Sequence, residues 1–173
     1  MKRIDTKRLS FCSLFTALIV IFTMFVRVPL PMLGYVHLGD GFIFLAVFIL
    51  GPVYGSIASG LGSMLADLFG YPLYAPATLI IKALTALCAY LVYAFFKKLI
   101  KKSLPAEIIA GVVGSVVMAL GYFLYEMLFL TTFAVAIVNV PWNLLQGAVG
   151  ILVAVVMMRA MKVTKLLDIL QKK

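Results

Sequence analysis

The side chains in this sequence that could do chemistry are few, and they recur at helical spacing. Thr78, Lys82 and Thr85 share one helix face, Tyr122 and Glu126 stand four residues apart with Tyr125 beside them, and Asn139, Asn143 and Gln146 follow the i, i+4, i+7 pattern next to Trp142. His37 and Tyr74 lie earlier in the chain. Lysine brings three donors, glutamate acceptors, the amides both, and tyrosine and tryptophan flat surfaces for stacking. Converging on one cavity, such a set suits a small heteroaromatic molecule with hydroxyl or amine substituents. It is not a catalytic set. The sequence has no GxxxxGKS or GxxxxGKT phosphate loop, no HExxH and no GxSxG, and Cys12 and Cys88 stand isolated in apolar runs. The expectation is a binding protein with no catalytic residue, no metal, no cofactor and no ATPase site of its own.

Each candidate also has a plainer reading. Trp142 and the outer tyrosines suit an interfacial aromatic belt. Lys82 could pair with Asp67 or Glu126 for structure alone. Asp40 after Gly39 reads as a helix cap, His37 as a structural loop histidine, Glu107 as a helix-start charge, and Arg27 as a snorkelling side chain.

Elements of an unusual kind must position these groups. Of 173 residues, 65% are hydrophobic and only 12% charged, with a mean hydropathy of +1.17. A soluble domain is about half apolar and a quarter charged, so lipid must be the main solvent here. The net charge of +9 could suggest nucleic acid. Its distribution argues otherwise: all lysines and arginines except Arg27 and Lys82 fall in three clusters. These are Lys2, Arg3, Lys7 and Arg8, then Lys97, Lys98, Lys101 and Lys102, then Arg159, Lys162, Lys165, Lys172 and Lys173. Every cluster flanks an apolar run, as cytoplasmic segments do, and anionic headgroups account for them without a nucleic-acid partner.

Six apolar runs, at residues 9–26, 40–50, 52–69, 76–96, 105–130 and 140–161, predict an all-α membrane bundle of six transmembrane helices forming a single domain. The first run is long and is followed by no small-residue cleavage site, so it reads as a retained span and not a signal peptide. With both termini and the tetralysine segment cytoplasmic, an even number of crossings must separate Arg8 from Lys97. That requires a break at Gly51-Pro52, where proline lacks an N–H and disfavours helix at its predecessor. The run at 40–50 is short and must tilt, extend past Gly51 or cross only partway. Segments 27–39, 70–75 and 131–139 then lie outside, and the candidate polar residues gather towards that side. The first of these, with two prolines and two glycines, suits a loop folded over the bundle mouth. Small residues at Gly51, Gly55, Ser59 and Ser63, and at Gly111, Ser115 and Ala119, predict close helix packing. Ser13 and Ala17 repeat the spacing on the first helix, where a partner is the alternative to packing within the bundle.

Between about residues 34 and 84 the sequence resembles the substrate-binding S components of energy-coupling factor (ECF) vitamin transporters. The motifs LGD at 38–40, LGP at 50–52, GLGSMLADL at 60–68 and YAPATLIIK at 74–82 carry the likeness. The resemblance implies a six-helix subunit of a bacterial plasma membrane that binds one water-soluble vitamin from outside. It would dock on a transmembrane coupling subunit, the T component, served by two cytoplasmic ATPases, with Ser13 and Ala17 at the contact. Ala83, Leu84 and Thr85 depart from the family pattern after the lysine, so pyridoxine, hydroxymethylpyrimidine and riboflavin all stay open, with the smaller rings favoured. On this reading Lys82→Ala weakens binding and spares stability. The competing reading, a self-sufficient secondary transporter or channel, needs a polar path to the inner face, yet below Lys82 and Gln146 the helices are almost wholly apolar.

Overall fold

The structure, a computed structural model, describes residues 6–29 and 35–164. Lys2, Arg3, Lys165, Lys172 and Lys173 of the basic clusters, and the centre of the first loop, lie outside the described residues. Helix α1 runs over Thr6–Phe25 and leads into a short hairpin, strands β1 (Arg27–Pro29) and β2 (Tyr35–His37). The strands pair antiparallel, Arg27 opposite His37 and Val28 opposite Val36. Helices α2 (Gly39–Leu50), α3 (Pro52–Gly70), α4 (Ala75–Ile100), α5 (Ser103–Tyr125) and α6 (Phe133–Val163) follow, with a single π turn, Glu126–Leu130, continuing α5. The bundle is the expected six-helix one, and the hairpin gives the first loop a regular form that its prolines and glycines did not predict.

Four of the helices are long and apolar enough to cross a bilayer. The two around Gly51 differ from these for opposite reasons. Helix α2 has 12 residues and is buried on every side, Phe42 through Phe48 without interruption. A helix apolar all round belongs in a core. Walled in by α1, α3, α4 and α6, α2 needs no lipid-spanning length of its own, which is why its run is short. Helix α3 is rich in small residues, and its glycines are where its neighbours approach. A Cβ on Gly55 would lie 2.5 Å from the Val47 Cα of α2, one on Gly60 2.7 Å from the Leu79 carbonyl oxygen of α4, and one on Gly62 2.9 Å from the Thr16 carbonyl oxygen of α1. At Gly51 the backbone turns with φ +84°, a conformation that favours glycine. Gly60→Val is expected to lower stability by about 1–3 kcal/mol, because a backbone carbonyl cannot rotate away. Thermal unfolding in detergent reads this, and an unchanged midpoint would contradict the packing.

Two expectations need correction. Segment 131–139 is not a loop, since α6 begins at Phe133 and carries Pro141 inside it. The carbonyl that Pro141 leaves unbonded belongs to Ile137, and both residues are on an exposed face. Glu107 is more than a helix-start charge: its carboxylate is buried and paired with Arg159, with Lys162 3.9 Å away, tying α5 to α6.

Side-chain contacts sort the bundle's ends. Cys12 of α1 lies against the Tyr54 carbonyl just after Gly51, and Arg159 reaches Ser103 beside the lysine-rich α4–α5 connection. This basic end is opposite the end that carries the hairpin, the 71–74 turn and the π turn.

Candidate functional site

At the hairpin end the helices part around a cavity with about 440 Å³ of empty space, its mouth included. Thr23 reaches it from α1, Tyr35 and His37 from β2, Ser63 and Asp67 from α3, Tyr74 and Thr78 from the start of α4, Tyr122 and Glu126 from α5 and its π turn, and Asn143 and Gln146 from α6. The site is therefore built from nearly every outer element, and its polar groups are tied together by hydrogen bonds. Glu126 accepts from the Tyr74 hydroxyl at 3.1 Å and from Asn139 Nδ2 at 2.9 Å. Tyr35 donates to Asp67, and Thr78 and Tyr122 share a hydrogen bond of 3.0 Å. Over the mouth, the rings of Tyr35 and Tyr71 stack at 4.8 Å, with the Arg27 guanidinium 5.7 Å and 5.9 Å from their centroids.

Of the residues singled out from sequence, His37, Tyr74, Thr78, Tyr122, Glu126, Asn143 and Gln146 line this cavity. Thr85 and Tyr125 do not, and neither do three others. Lys82 is fully buried and donates to Asp40 Oδ1 at 2.5 Å, with Met118 Sδ at 2.9 Å. Its partner is thus neither Asp67 nor Glu126, and Asp40 makes no side-chain cap at the start of α2. Asn139 stands behind Glu126 and holds it. Trp142, 40% exposed, faces outward on α6, as a belt residue does.

Thr23, Tyr35, Ser63 and Asp67 are lining residues that sequence reasoning did not assign to a site. One signal was available: the stripe Gly55, Ser59, Ser63 continues with the same spacing to Asp67, so the packing face of α3 becomes a cavity face one turn further out. Thr23 and Tyr35 carry no comparable signal, since only the hairpin's return brings them in.

Beneath the cavity a polar chain crosses four elements. The His37 backbone N–H donates to Gln146 Oε1 at 2.9 Å, Gln146 Nε2 donates to Asp40 Oδ2 at 2.8 Å, and Asp40 holds Lys82. It locks β2 onto α6, α2 and α4. Burial pushes the pKa of His37 down to about 3, against the opposing pull of the Asp40 carboxylate and with a smaller push from Lys82. Folded His37 is therefore neutral where the unfolded chain begins to protonate, near pH 6.5. Stability should fall as pH drops below about 6.5, by up to about 1.4 kcal/mol per unit, because the unfolded state binds more protons. This is the chain's one histidine, so its share of the pH dependence is the part that replacing it removes. Thermal unfolding should show wild type losing more stability than His37→Asn as pH falls from about 7.5 to 5.5; identical pH profiles for the two would contradict the burial.

Comparison with known proteins fits this architecture. The sequence profile of the ECF-type riboflavin transporter S component matches residues 3–163. A solved structure described as the S component of a bacterial ECF transporter superposes with a TM-score of 0.69 at 26% identity, covering 92% of this chain and 97% of that one. A Pyrococcus woesei protein described as an uncharacterized protein in a gap 3′ region is 39% identical over 106 residues, 60% of this chain and 68% of its own length. With the profile spanning nearly the whole chain, this multi-pass membrane protein belongs to the ECF-type riboflavin transporter S component family.

Proposed function

We propose that the cavity captures riboflavin, or a smaller heteroaromatic vitamin, from outside the cell and that a separate coupling module powers its uptake. Membership of the family makes the chain the substrate-binding subunit of an ECF transporter; the identity of the vitamin is the finer step. The observation that carries it is the pair of carboxylates, Asp67 and Glu126, which line the cavity with no salt bridge to either among the described residues. Such a site seeks a ligand that donates hydrogen bonds, and the tyrosines around it offer flat surfaces for stacking. Riboflavin has a ring N–H, a chain of hydroxyls and a broad planar face. The family's name points the same way. The second reading, pyridoxine or hydroxymethylpyrimidine, is supported by the same carboxylates, which also suit a hydroxymethyl group or an exocyclic amine on a single ring.

Orientation follows from charge. The described basic residues Lys97, Lys98, Lys101, Lys102 and Arg159 gather at the end opposite the cavity, which supports a cytoplasmic orientation for that end under the positive-inside rule. Ser13 and Ala17 are exposed on α1 and form the surface that would meet the T component, in a complex completed by two ATPase subunits.

Titration of purified protein with riboflavin, pyridoxine and hydroxymethylpyrimidine tests the reading, riboflavin through quenching of its fluorescence on stacking. Tight binding of riboflavin is expected; binding of none of the three would remove the proposal. Vesicles holding only this chain should accumulate no vitamin on ATP addition, and those holding the coupling module as well should. Accumulation by the chain alone would favour the secondary-transporter alternative.

A further inference from the structure

His37 is held in one tautomer by its surroundings. The Gly39 backbone N–H donates to its Nδ1 at 3.0 Å, and Thr23 Oγ1 lies 3.4 Å from the same nitrogen. A neutral imidazole whose Nδ1 accepts carries its proton on Nε2. Burial keeps the ring neutral, with its pKa pushed down to about 3. The polar atom facing Nε2 is Gln146 Nε2, 3.4 Å away. That amide cannot turn to offer its oxygen, because Oε1 accepts from the His37 backbone N–H and Nε2 donates to Asp40. Flipped, it would set its NH2 against an N–H and its oxygen against a carboxylate. Two donors therefore face each other, and the His37 Nε2 proton has no acceptor among the described residues, although His37 lines the cavity.

Ser63 is in the same state. It is 1% exposed and lines the cavity, and its Oγ has no hydrogen-bond partner among the described residues. Most buried donors in proteins are paired, and one left unpaired costs free energy that an incoming acceptor recovers. The geometry also explains the glycine of the LGD motif: a Cβ on Gly39 would lie 2.1 Å from Thr23 Oγ1 and 2.9 Å from His37 Nδ1, displacing both the hydroxyl and the ring that the Gly39 N–H fixes.

We propose that His37 Nε2–H and Ser63 Oγ–H are the specificity-determining donors of the cavity, reading a ring carbonyl or an unprotonated ring nitrogen on the ligand. The inference rests on the vitamin reading above and sharpens it. Carboxylates Asp67 and Glu126 select for donors on the ligand, and His37 with Ser63 select for an acceptor. A heterocycle must carry both to satisfy the site.

Nitrogen NMR of the chain's one histidine in detergent tests this without any ligand. The proton is expected on Nε2 with Nδ1 bare, and its resonance should move when riboflavin is added. His37→Phe should weaken riboflavin binding about tenfold, while His37→Gln, which keeps an N–H near the Nε2 position, should stay within about threefold of wild type; Ser63→Ala should lose several-fold. A proton on Nδ1, or a well-folded His37→Phe that binds like wild type, overturns the inference. If wild type binds none of riboflavin, pyridoxine and hydroxymethylpyrimidine, the vitamin reading fails separately. The ligand-free spectrum then decides alone: a proton on Nε2 sustains the donor assignment and one on Nδ1 ends it.

Discussion

Lys82→Ala is expected to destabilise the protein by about 3–5 kcal/mol, enough to threaten the fold. The sequence pointed the other way, to a ligand-facing lysine whose loss would spare stability. What reverses the expectation is burial: Lys82 is 0% exposed and its ammonium lies 2.5 Å from Asp40, itself 1% exposed, at the centre of a bundle surrounded by lipid. Truncating the lysine leaves the Asp40 carboxylate with Gln146 as its remaining hydrogen-bond donor, and an uncompensated charge there is more costly than the pair's net worth. The same reasoning makes the double variant Asp40→Asn/Lys82→Met far milder than Lys82→Ala, a non-additivity that thermal unfolding in detergent can measure. A Lys82→Ala protein within about 1 kcal/mol of wild type would show that the pair does not carry this load.

The second large effect is on affinity. Glu126→Gln keeps the shape of the side chain and an oxygen that can accept from Tyr74 but sets its NH2 against Asn139 Nδ2, so the cavity should form with a modestly lowered ligand-free unfolding midpoint. Riboflavin binding should nevertheless fall about 10- to 100-fold, since a hydrogen bond to a charged acceptor is worth about 1.5–3 kcal/mol. Fluorescence titration reads this directly. Unchanged affinity would show that Glu126 serves only to hold Tyr74 and Asn139, and the donor-seeking character of the site would then rest on Asp67 alone.

These two carboxylates show how unevenly the site was legible. Glu126 stood out because an acid in an otherwise apolar helix has few structural excuses, and Tyr122 four residues earlier marked its face. Asp67 was equally ionisable but ended a small-residue stripe whose first members are pure packing, so its change of role could not be seen until α3 was placed against the hairpin. Lys82 was recognised as important and given the wrong neighbour. Asp40 is 42 residues away in sequence, and helical spacing relates only residues on the same helix. The Gly51 break was legible from the requirement for an even number of crossings, whereas the start of α6 was not, because the helix continues through Pro141.

From the chain itself came the solvent, the number of helices, the clustering of charge and the helix faces that carry polar groups. All of these follow from local properties: side-chain transfer free energy, the 3.6-residue period and the backbone demands of glycine and proline. Which charge meets which, that α2 is a core helix, and that Tyr35 and His37 close over α3 and α6 were decided only by tertiary structure. Pairing depends on distances between helices, and a buried ion pair is specified by the packing that excludes every other partner.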